Sequence, residues 1–154
     1  PWHMSIIALS IAELLERDLD RLSNEIEAYQ DEENLWLVNG EITNSAGNLA
    51  LHLCGNLQHF IGAVIGKSGY ERNREFEFSG KNVPREELLN SIVATKRIIK
   101  QTLQRLPEST LNYPYPIRVF GDKDMSTVFF LIHLQGHLNY HLGQINYHRR
   151  LLDK

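Results

Sequence analysis

The chain has 154 residues, of which 42% are hydrophobic and 23% are charged, so residues 1–154 are expected to form one soluble globular domain. The net charge of −3, with mixed signs, argues against nucleic-acid binding, and no apolar run approaches the roughly 20 residues of a membrane span. The single cysteine, Cys54, excludes an internal disulfide, and no signal-peptide pattern is present, so a cytoplasmic location is predicted. Pro1-Trp2-His3-Met4 is typical of a cloning remnant (residues 1–3) ahead of a native start at Met4, and His3 is therefore not considered as a metal ligand.

The first predicted helix runs from Ser5 to about Tyr29, because apolar residues recur there at intervals of three and four positions. An acidic run ends this pattern, and Val38-Asn39-Gly40 is a turn signal. Trp36, which lies between them, is interpreted as a loop aromatic that folds back over one end of a helical bundle.

The second predicted helix begins near Thr43 or Asn44, either of which is a suitable N-cap, and it runs to about Gly66. Three glycines recur in it every seven residues: Gly47, Gly55 and Gly62. Each costs about 1 kcal/mol in helix propensity, which indicates a packing reason for a small residue. We therefore expect another helix to approach closely along these glycines.

Two longer connections flank the third predicted helix. The polar segment from Ser68 to Val83 is predicted to be a crossover loop. The third helix has Pro84 in its first turn, where proline is favoured, and it ends before Pro107. The segment from Glu108 to Lys123 contains two prolines and a glycine, so it is predicted to be a long connection with room for a short extended piece.

The fourth predicted helix is capped by Asp124, Ser126 or Thr127 and runs to about Leu152. The chain contains neither a convincing pair of strands nor a domain linker. Four long amphipathic helices of this kind predict an all-α fold, namely a four-helix bundle with a crossover connection.

Three histidines lie four residues apart in the fourth helix, at His133, His137 and His141. Four residues of α-helix advance about 400° and about 6 Å, so neighbouring members of the series can aim at one point. Neutral imidazole is the commonest protein metal ligand, but two ligands from one helix do not close a site. His137 and His141 form the best pair, with His52 of the second helix as the third ligand. His133 and His141 are about 12 Å apart along the axis, too far to share one small ion.

The remaining histidines leave alternatives open. His59 lies two turns, about 10.5 Å, beyond His52, so both cannot bind the same ion. His133 is interpreted as a packing or pocket-wall residue, and the sequence does not assign a role to His148. Ordinary hydrogen-bonded histidines in a purely structural bundle would give the same pattern. Glu-x-x-His and His-Glu-x-x-His are absent, which argues against di-iron and zincin sites.

Two segments and one aromatic residue carry a resemblance to a known family. They are Asn48-Leu49-Ala50-Leu51-His52-Leu53, His137-Leu138-Asn139-Tyr140-His141-Leu142-Gly143-Gln144-Ile145 and Trp36. Through them, nearly the whole chain resembles the DinB/YfiT-like metalloenzyme superfamily, and the Gly-Gln pair after the last histidine is the most specific feature. The resemblance implies a four-helix bundle with a crossover connection that often forms a homodimer.

By this resemblance, one divalent metal ion (nickel, zinc or iron) is held by His52, His137 and His141. Characterised relatives include thiol transferases, so the resemblance implies a metal-dependent enzyme with thiol-dependent S-transferase activity on a small-molecule substrate, with a low-molecular-weight thiol as partner. A metal-dependent hydrolase is one alternative. A non-catalytic, stress-related metal-binding bundle that acts through its interface is another. Asn56 and Gln144 are candidates for hydrogen bonds to a ligand or to a bound water.

One position departs from the family pattern. Relatives often have an arginine directly after the last ligand, whereas this chain has Leu142. If that arginine holds an anionic substrate, the role is vacant or is filled from elsewhere. The candidates by charge are Arg72, Arg74 and Arg118, and a solvated surface arginine is the alternative for each. The sequence shows no positioned carboxylate base that would favour hydrolysis.

Overall fold

The computed structural model describes residues 5–154; the predicted cloning remnant (residues 1–3, with His3) and Met4 lie outside the described residues. Apart from two isolated β-bridges, the regular structure of residues 5–154 is helical. A 3₁₀-helix spans Glu32–Trp36, and π-helical turns over Gln58–Ile65 continue the second α-helix. The α-helices are α1 (Ile6–Ala28), α2 (Ala46–Leu57), α3 (Arg74–Ser79), α4 (Arg85–Gln104), α5 (Glu108–Leu111) and α6 (Thr127–Leu152). None of the helices in this described part has the length and apolar character needed to cross a membrane.

Helix α2 begins slightly later than predicted. Ser45, rather than Thr43 or Asn44, is its N-cap, because the Ser45 hydroxyl accepts a hydrogen bond from the Asn48 N–H at 3.1 Å. The same hydroxyl donates to the Asn48 side-chain oxygen at 2.6 Å. All three consecutive residues are suitable caps, so the side-chain contact with Asn48 decides between them. At α6, Ser126 is the cap among the three predicted candidates.

Both long connections contain short helices that the sequence pattern does not predict. The segment 68–83, predicted to be a loop, contains α3, whose six residues are too few to show a clear amphipathic period. The connection 108–123 begins with α5. The extended piece expected in it is limited to an isolated antiparallel bridge between Pro114 and Ser126.

Each of the four long helices packs against two others, since α1 and α2 both contact α4 and α6. The predicted apolar stripe of α1 is buried at Ile11, Leu15, Leu19, Leu22 and Ile26. Full burial of one such side chain contributes about 2 kcal/mol. The contact between α2 and α6 brings together the two helices that carry most of the histidines.

A buried carboxylate fixes the rotation of α6. Asp18 of α1 is fully buried and accepts hydrogen bonds from Gln135 at 2.8 Å and Asn139 at 3.0 Å, both on α6. Arg17 donates to the same carboxylate at 3.0 Å. Gln135 and Asn139 each lie about 160° around the helix from His137. This anchor therefore turns His137 away from α1.

Two of the glycines spaced seven residues apart, Gly47 in α2 and Gly62 in the π-helical turns, permit close approach by neighbouring segments. A Cβ at Gly47 would lie 2.7 Å from ring atoms of Trp36, and one at Gly62 would lie 3.2 Å from Ile98 of α4. Trp36 is 8% exposed and packs over the start of α2. It belongs to the 3₁₀-helix, so the prediction of a loop aromatic was wrong about its local structure and right about its folding back.

Candidate metal centre

The structure brings together the three histidines predicted to bind one ion. His52 comes from α2, and His137 and His141 come from α6. One ring nitrogen of each lies within 4.8 Å of those of the other two. His52 is 7% exposed, whereas the two α6 histidines are half-buried. The group is thus anchored in the interior on one side and open to solvent on the other.

The His52 ring is held by a carboxylate from α3. Its Nδ1 lies 3.0 Å from Glu77 Oε1, and Glu77 is 4% exposed. Arg72 holds the same carboxylate from the other side, with its Nε 2.8 Å from Oε2 and its terminal nitrogen 2.8 Å from Oε1. This two-pronged contact fixes the plane of the carboxylate, and with it the orientation of the imidazole.

The charge state of Glu77 decides which nitrogen of His52 is free. Burial alone would raise the pKa of Glu77, but hydrogen bonds from Arg72 and His52 outweigh it and hold that pKa below its ordinary value. The ionised carboxylate can only accept, so His52 Nδ1 must donate. His52 Nε2 therefore carries the lone pair, as metal binding requires.

Gln144 fixes the tautomer of His141 in the same way. His141 Nδ1 lies 2.6 Å from the Gln144 side-chain oxygen, which can only accept a hydrogen bond. The lone pair of His141 is consequently on Nε2. Burial, together with the charge of His52, lowers the pKa of His141, although the Gln144 contact opposes this effect. The ring is neutral at neutral pH.

His137 completes the group. Its Nε2 lies 3.2 Å from His52 Nε2, and two nitrogens that bind one ion at about 2.1 Å are typically separated by about 3–3.5 Å. Burial and the neighbouring histidines lower the pKa of His137 to about 4, so the ring is neutral at pH 7. Its Nδ1 and the Asn56 side-chain oxygen are buried and have no hydrogen-bond partner. Such orphaned groups cost about 1–3 kcal/mol each and mark a site that needs an explanation.

The donor set therefore fits a divalent ion: three neutral imidazoles converge, and two of them are oriented by hydrogen bonds on the opposite ring nitrogen. A family model described as "Protein of unknown function (DUF1572)" matches residues 9–154. The chain belongs to the DUF1572 family. None of the curated proteins compared with it matches. Since the family description assigns no activity, the function of this DUF1572 protein has to be argued from the site.

Glu77 is the residue of the site that the sequence pattern of this DUF1572 protein did not reveal. It lies in a segment predicted to be loop, 25 positions from its partner His52. The available signal was Gly55, because a Cβ there would collide with the Glu77 carboxylate. Asn48 also anchors this segment, donating to the carbonyls of Glu77 at 3.0 Å and Gly80 at 2.8 Å.

The other histidines of this DUF1572 protein lie outside the group. His133 is exposed and stacks on Phe130, with ring centroids 5.6 Å apart, which fits its interpretation as a packing or wall residue. His59 is half-buried and packs edge-on against Phe60. His148 is 3% exposed and is bonded through both ring nitrogens to other parts of the chain.

The three arginines considered for an anionic substrate all have partners within the protein. Arg72 holds Glu77, as described above. Arg74 lies over the Phe78 ring, 5.3 Å from its centroid. Arg118 bonds to Asp124 at 3.1 Å. Of the three, Arg72 alone touches the histidine group, and its role there is to hold the carboxylate that orients His52.

Proposed function

We propose that this DUF1572 protein is a metal-dependent enzyme whose divalent ion, nickel, zinc or iron, is held by His52, His137 and His141. The observation that carries the proposal is the set of fixed tautomers. Glu77 and Gln144 each occupy one nitrogen of a histidine and leave the other as a lone-pair donor. A histidine with a merely structural role has no need of a converging free lone pair.

We also propose that the architecture is a DinB/YfiT-like four-helix bundle with a crossover connection. The helices of the bundle would be α1, α2, α4 and α6, each of which packs against two of the others. The crossover would be the segment 68–83. Through α3 it contributes Glu77, so in this proposal the connection is part of the site rather than a passive link.

The reaction we propose is a thiol-dependent S-transfer to a small-molecule electrophile. An ion bound by three neutral imidazoles keeps its full positive charge and would stabilise the thiolate form of a thiol at an open position. Three protein donors leave such a position, as in catalytic zinc sites. The half-buried His137 and His141 give solvent access to it. On this chain, Glu77 and Arg72 orient the donor His52, and Gln144 orients the donor His141.

Hydrolysis is less well supported. Its general base would have to accept a proton from water, and the carboxylate that lies at the site is Glu77. Both oxygens of Glu77 are already bonded to Arg72, and its pKa is held low. A carboxylate engaged in this way is a poor proton acceptor. The non-catalytic metal-binding alternative predicts a closed site, so ligand exchange at the metal separates it from an enzyme.

A homodimer is part of the proposal, and α6 supplies its support. No charged residue occurs between Met125 and His148, although much of this stretch is exposed. Its exposed side includes Phe129, Ile132, Tyr140 and Tyr147. An uncharged apolar face of this length is typical of a helix that packs on both sides. The cytoplasmic location stays a prediction from the sequence.

The experiment that tests the proposal has two parts. Metal content is measured on the purified protein and on His52→Ala and His137→Ala, with His133→Ala as the control on the same helix. We expect about one ion per chain in the wild type and control, and little in the two ligand variants. A panel of thiols and electrophiles is then compared on metal-loaded and metal-free protein. Undiminished metal in both ligand variants would rule out this ligand set, and equal turnover with and without metal would rule out the chemistry.

A further inference from the structure

An aromatic surface adjoins the three histidines. His133 stacks on Phe130 with an interplanar angle of 14°, and its ring centroid lies 6.3 Å from that of the proposed ligand His137. Phe120 is 43% exposed and packs edge-on against His133 at 5.0 Å. Phe60 packs edge-on against Phe130 at 5.1 Å. We call Phe60, Phe120, Phe130 and His133 the aromatic shelf; Phe120 and His133 are exposed, Phe60 is half-buried, and the buried Phe130 supports them from below.

The shelf rests on a rigid support. Tyr115 is buried, its hydroxyl donates to the Phe60 carbonyl at 2.6 Å, and its ring lies 4.4 Å from Phe130. Gly121 has a φ of +63°, a conformation that favours glycine, and it turns the chain directly after Phe120. The connection between α5 and α6 is thereby fastened to the π-helical turns that continue α2 and presents Phe120 beside α6. A surface fixed in this way can bind a ligand without first being ordered.

The charges around the shelf argue against an anionic ligand. Arg72 lies over Phe60 at 5.7 Å, but it is bonded twice to Glu77. On either side of Phe120 in the chain, Arg118 is paired with Asp124, and Lys123 lies over the Phe129 ring. The position after the last proposed ligand is leucine rather than arginine. An anion would have to compete for cations that already have partners, whereas an uncharged ring gains contact with exposed aromatic edges.

We propose that the aromatic shelf binds the non-reacting part of the substrate, and that this part is an uncharged aromatic group. This inference rests on the metal centre proposed above and specifies the class of substrate that the centre would act on. A molecule whose reacting atom reaches the three imidazoles would find the shelf one helical turn away, at His133. Phe120 supplies the exposed phenyl ring of the shelf and is therefore a specificity-determining residue.

The test measures ligand binding rather than turnover. The protein is loaded with cobalt(II), whose visible absorption reports on its ligands, and is titrated separately with imidazole and with 4-phenylimidazole. Affinities are corrected for those of the two probes toward free cobalt(II). The variants are Phe120→Ala and, as control, Tyr147→Ala, which removes an exposed aromatic side chain of α6 that lies away from the shelf, fourteen residues beyond His133.

We expect 4-phenylimidazole to bind about tenfold more tightly than imidazole in the wild type and in Tyr147→Ala. In Phe120→Ala this ratio should fall to about threefold or less, with the ligand-free spectrum unchanged. Equal affinities for the two probes in the wild type, or a ratio of affinities that Phe120→Ala leaves unchanged, would contradict the proposal that the shelf binds an aromatic group.

Two further outcomes separate the shelf from the proposed function. If benzyl mercaptan causes no spectral change while the phenyl preference is present and depends on Phe120, the shelf stands and the thiol chemistry fails. If neither imidazole probe changes the spectrum, the metal has no accessible position, and both proposals fail.

Discussion

Two buried histidines of this protein, His52 and His148, have opposite hydrogen-bonding patterns. His148 is bonded at both nitrogens, with Nδ1 2.6 Å from the Tyr29 hydroxyl and Nε2 2.8 Å from the Leu37 carbonyl. His52 is bonded to a protein group at Nδ1, while its Nε2 faces His137. Burial and residue type are the same in the two cases. A candidate ligand and a structural histidine therefore differ in the number of ring nitrogens that are left free to bind a ligand.

Loss of a ligand should have the largest effect. His52→Ala is expected to remove metal binding, because two imidazoles from one helix do not close a site. His148→Gln should retain about one ion per chain, since neither of its nitrogens is free. Titration calorimetry with nickel or zinc measures both, and circular dichroism confirms that each variant is folded. Equal loss of metal in the two folded variants would erase the distinction between the two histidines.

Glu77→Gln should have the next largest effect. The amide can still accept a hydrogen bond from His52 but loses the negative charge, so we expect metal affinity to fall about 10–100-fold with stoichiometry unchanged. Gly55→Ala should shift affinity in the same direction, because its Cβ would displace the Glu77 carboxylate.

The control for these two changes is Gly136→Ala on α6, where an added Cβ meets nothing within 4 Å. Wild-type metal affinity in Glu77→Gln would show that the carboxylate does not act on His52.

Tyr29→Phe should affect stability rather than metal binding. Removing the hydroxyl leaves His148 Nδ1 buried without a donor, which costs about 1–2 kcal/mol of unfolding free energy. Urea denaturation of the metal-free protein measures the loss. A clear change in metal affinity accompanying it would mean that the two histidines are coupled, contrary to the comparison.

The effect of pH should be the smallest. Burial, with charge from neighbouring histidines, lowers the pKa of folded His137 to about 4, against about 6.5 when unfolded. The unfolded chain therefore binds more protons across this window, so the unfolding free energy should fall as pH decreases from about 6.5 toward 4, by about 1 kcal/mol per pH unit between pH 7 and 5. Burial also lowers the pKa of His148, so His137 and His148 both contribute to the pH dependence of the unfolding free energy in the metal-free protein.

A bound metal ion should distinguish the proposed metal centre from the His148 site, because the ion binds only neutral imidazole. Metal loading should steepen the pH dependence of the unfolding free energy in the wild type and in His148→Gln, but not in His137→Gln. Urea melts at pH 7 and 5, with and without metal, provide the comparison. The same metal-induced steepening in all three proteins would place the ion elsewhere.

Much of the helical layout could be predicted from the sequence, because long helices repeat their apolar residues often enough to reveal a period. The third and fourth helices were predicted to within a few residues of α4 and α6. Helices α3 and α5, with six and four residues, are too short to show one. The cap of α2 was missed because neighbouring residues cap equally well, and contact with Asn48 selects Ser45.

Part of the candidate site could likewise be predicted from the sequence, and part could not. The spacing of His137 and His141 is a local property, and helical geometry converts it directly into proximity. Glu77 and Arg72 could not be found like this, since their positions depend on how the segment 68–83 folds back onto α2. The sequence held one indirect sign of that contact, the glycine at position 55, but it could not name the side chain that needs the space.

The most direct measurement is an X-ray absorption spectrum of the zinc-loaded protein before and after addition of a thiol. The central claim is that three histidines hold the ion and leave a position open. It predicts three imidazole ligands with a light atom from solvent, and then one sulfur at about 2.3 Å once the thiol is present. A spectrum with fewer than three imidazoles, or one that the thiol leaves unchanged, would contradict the claim.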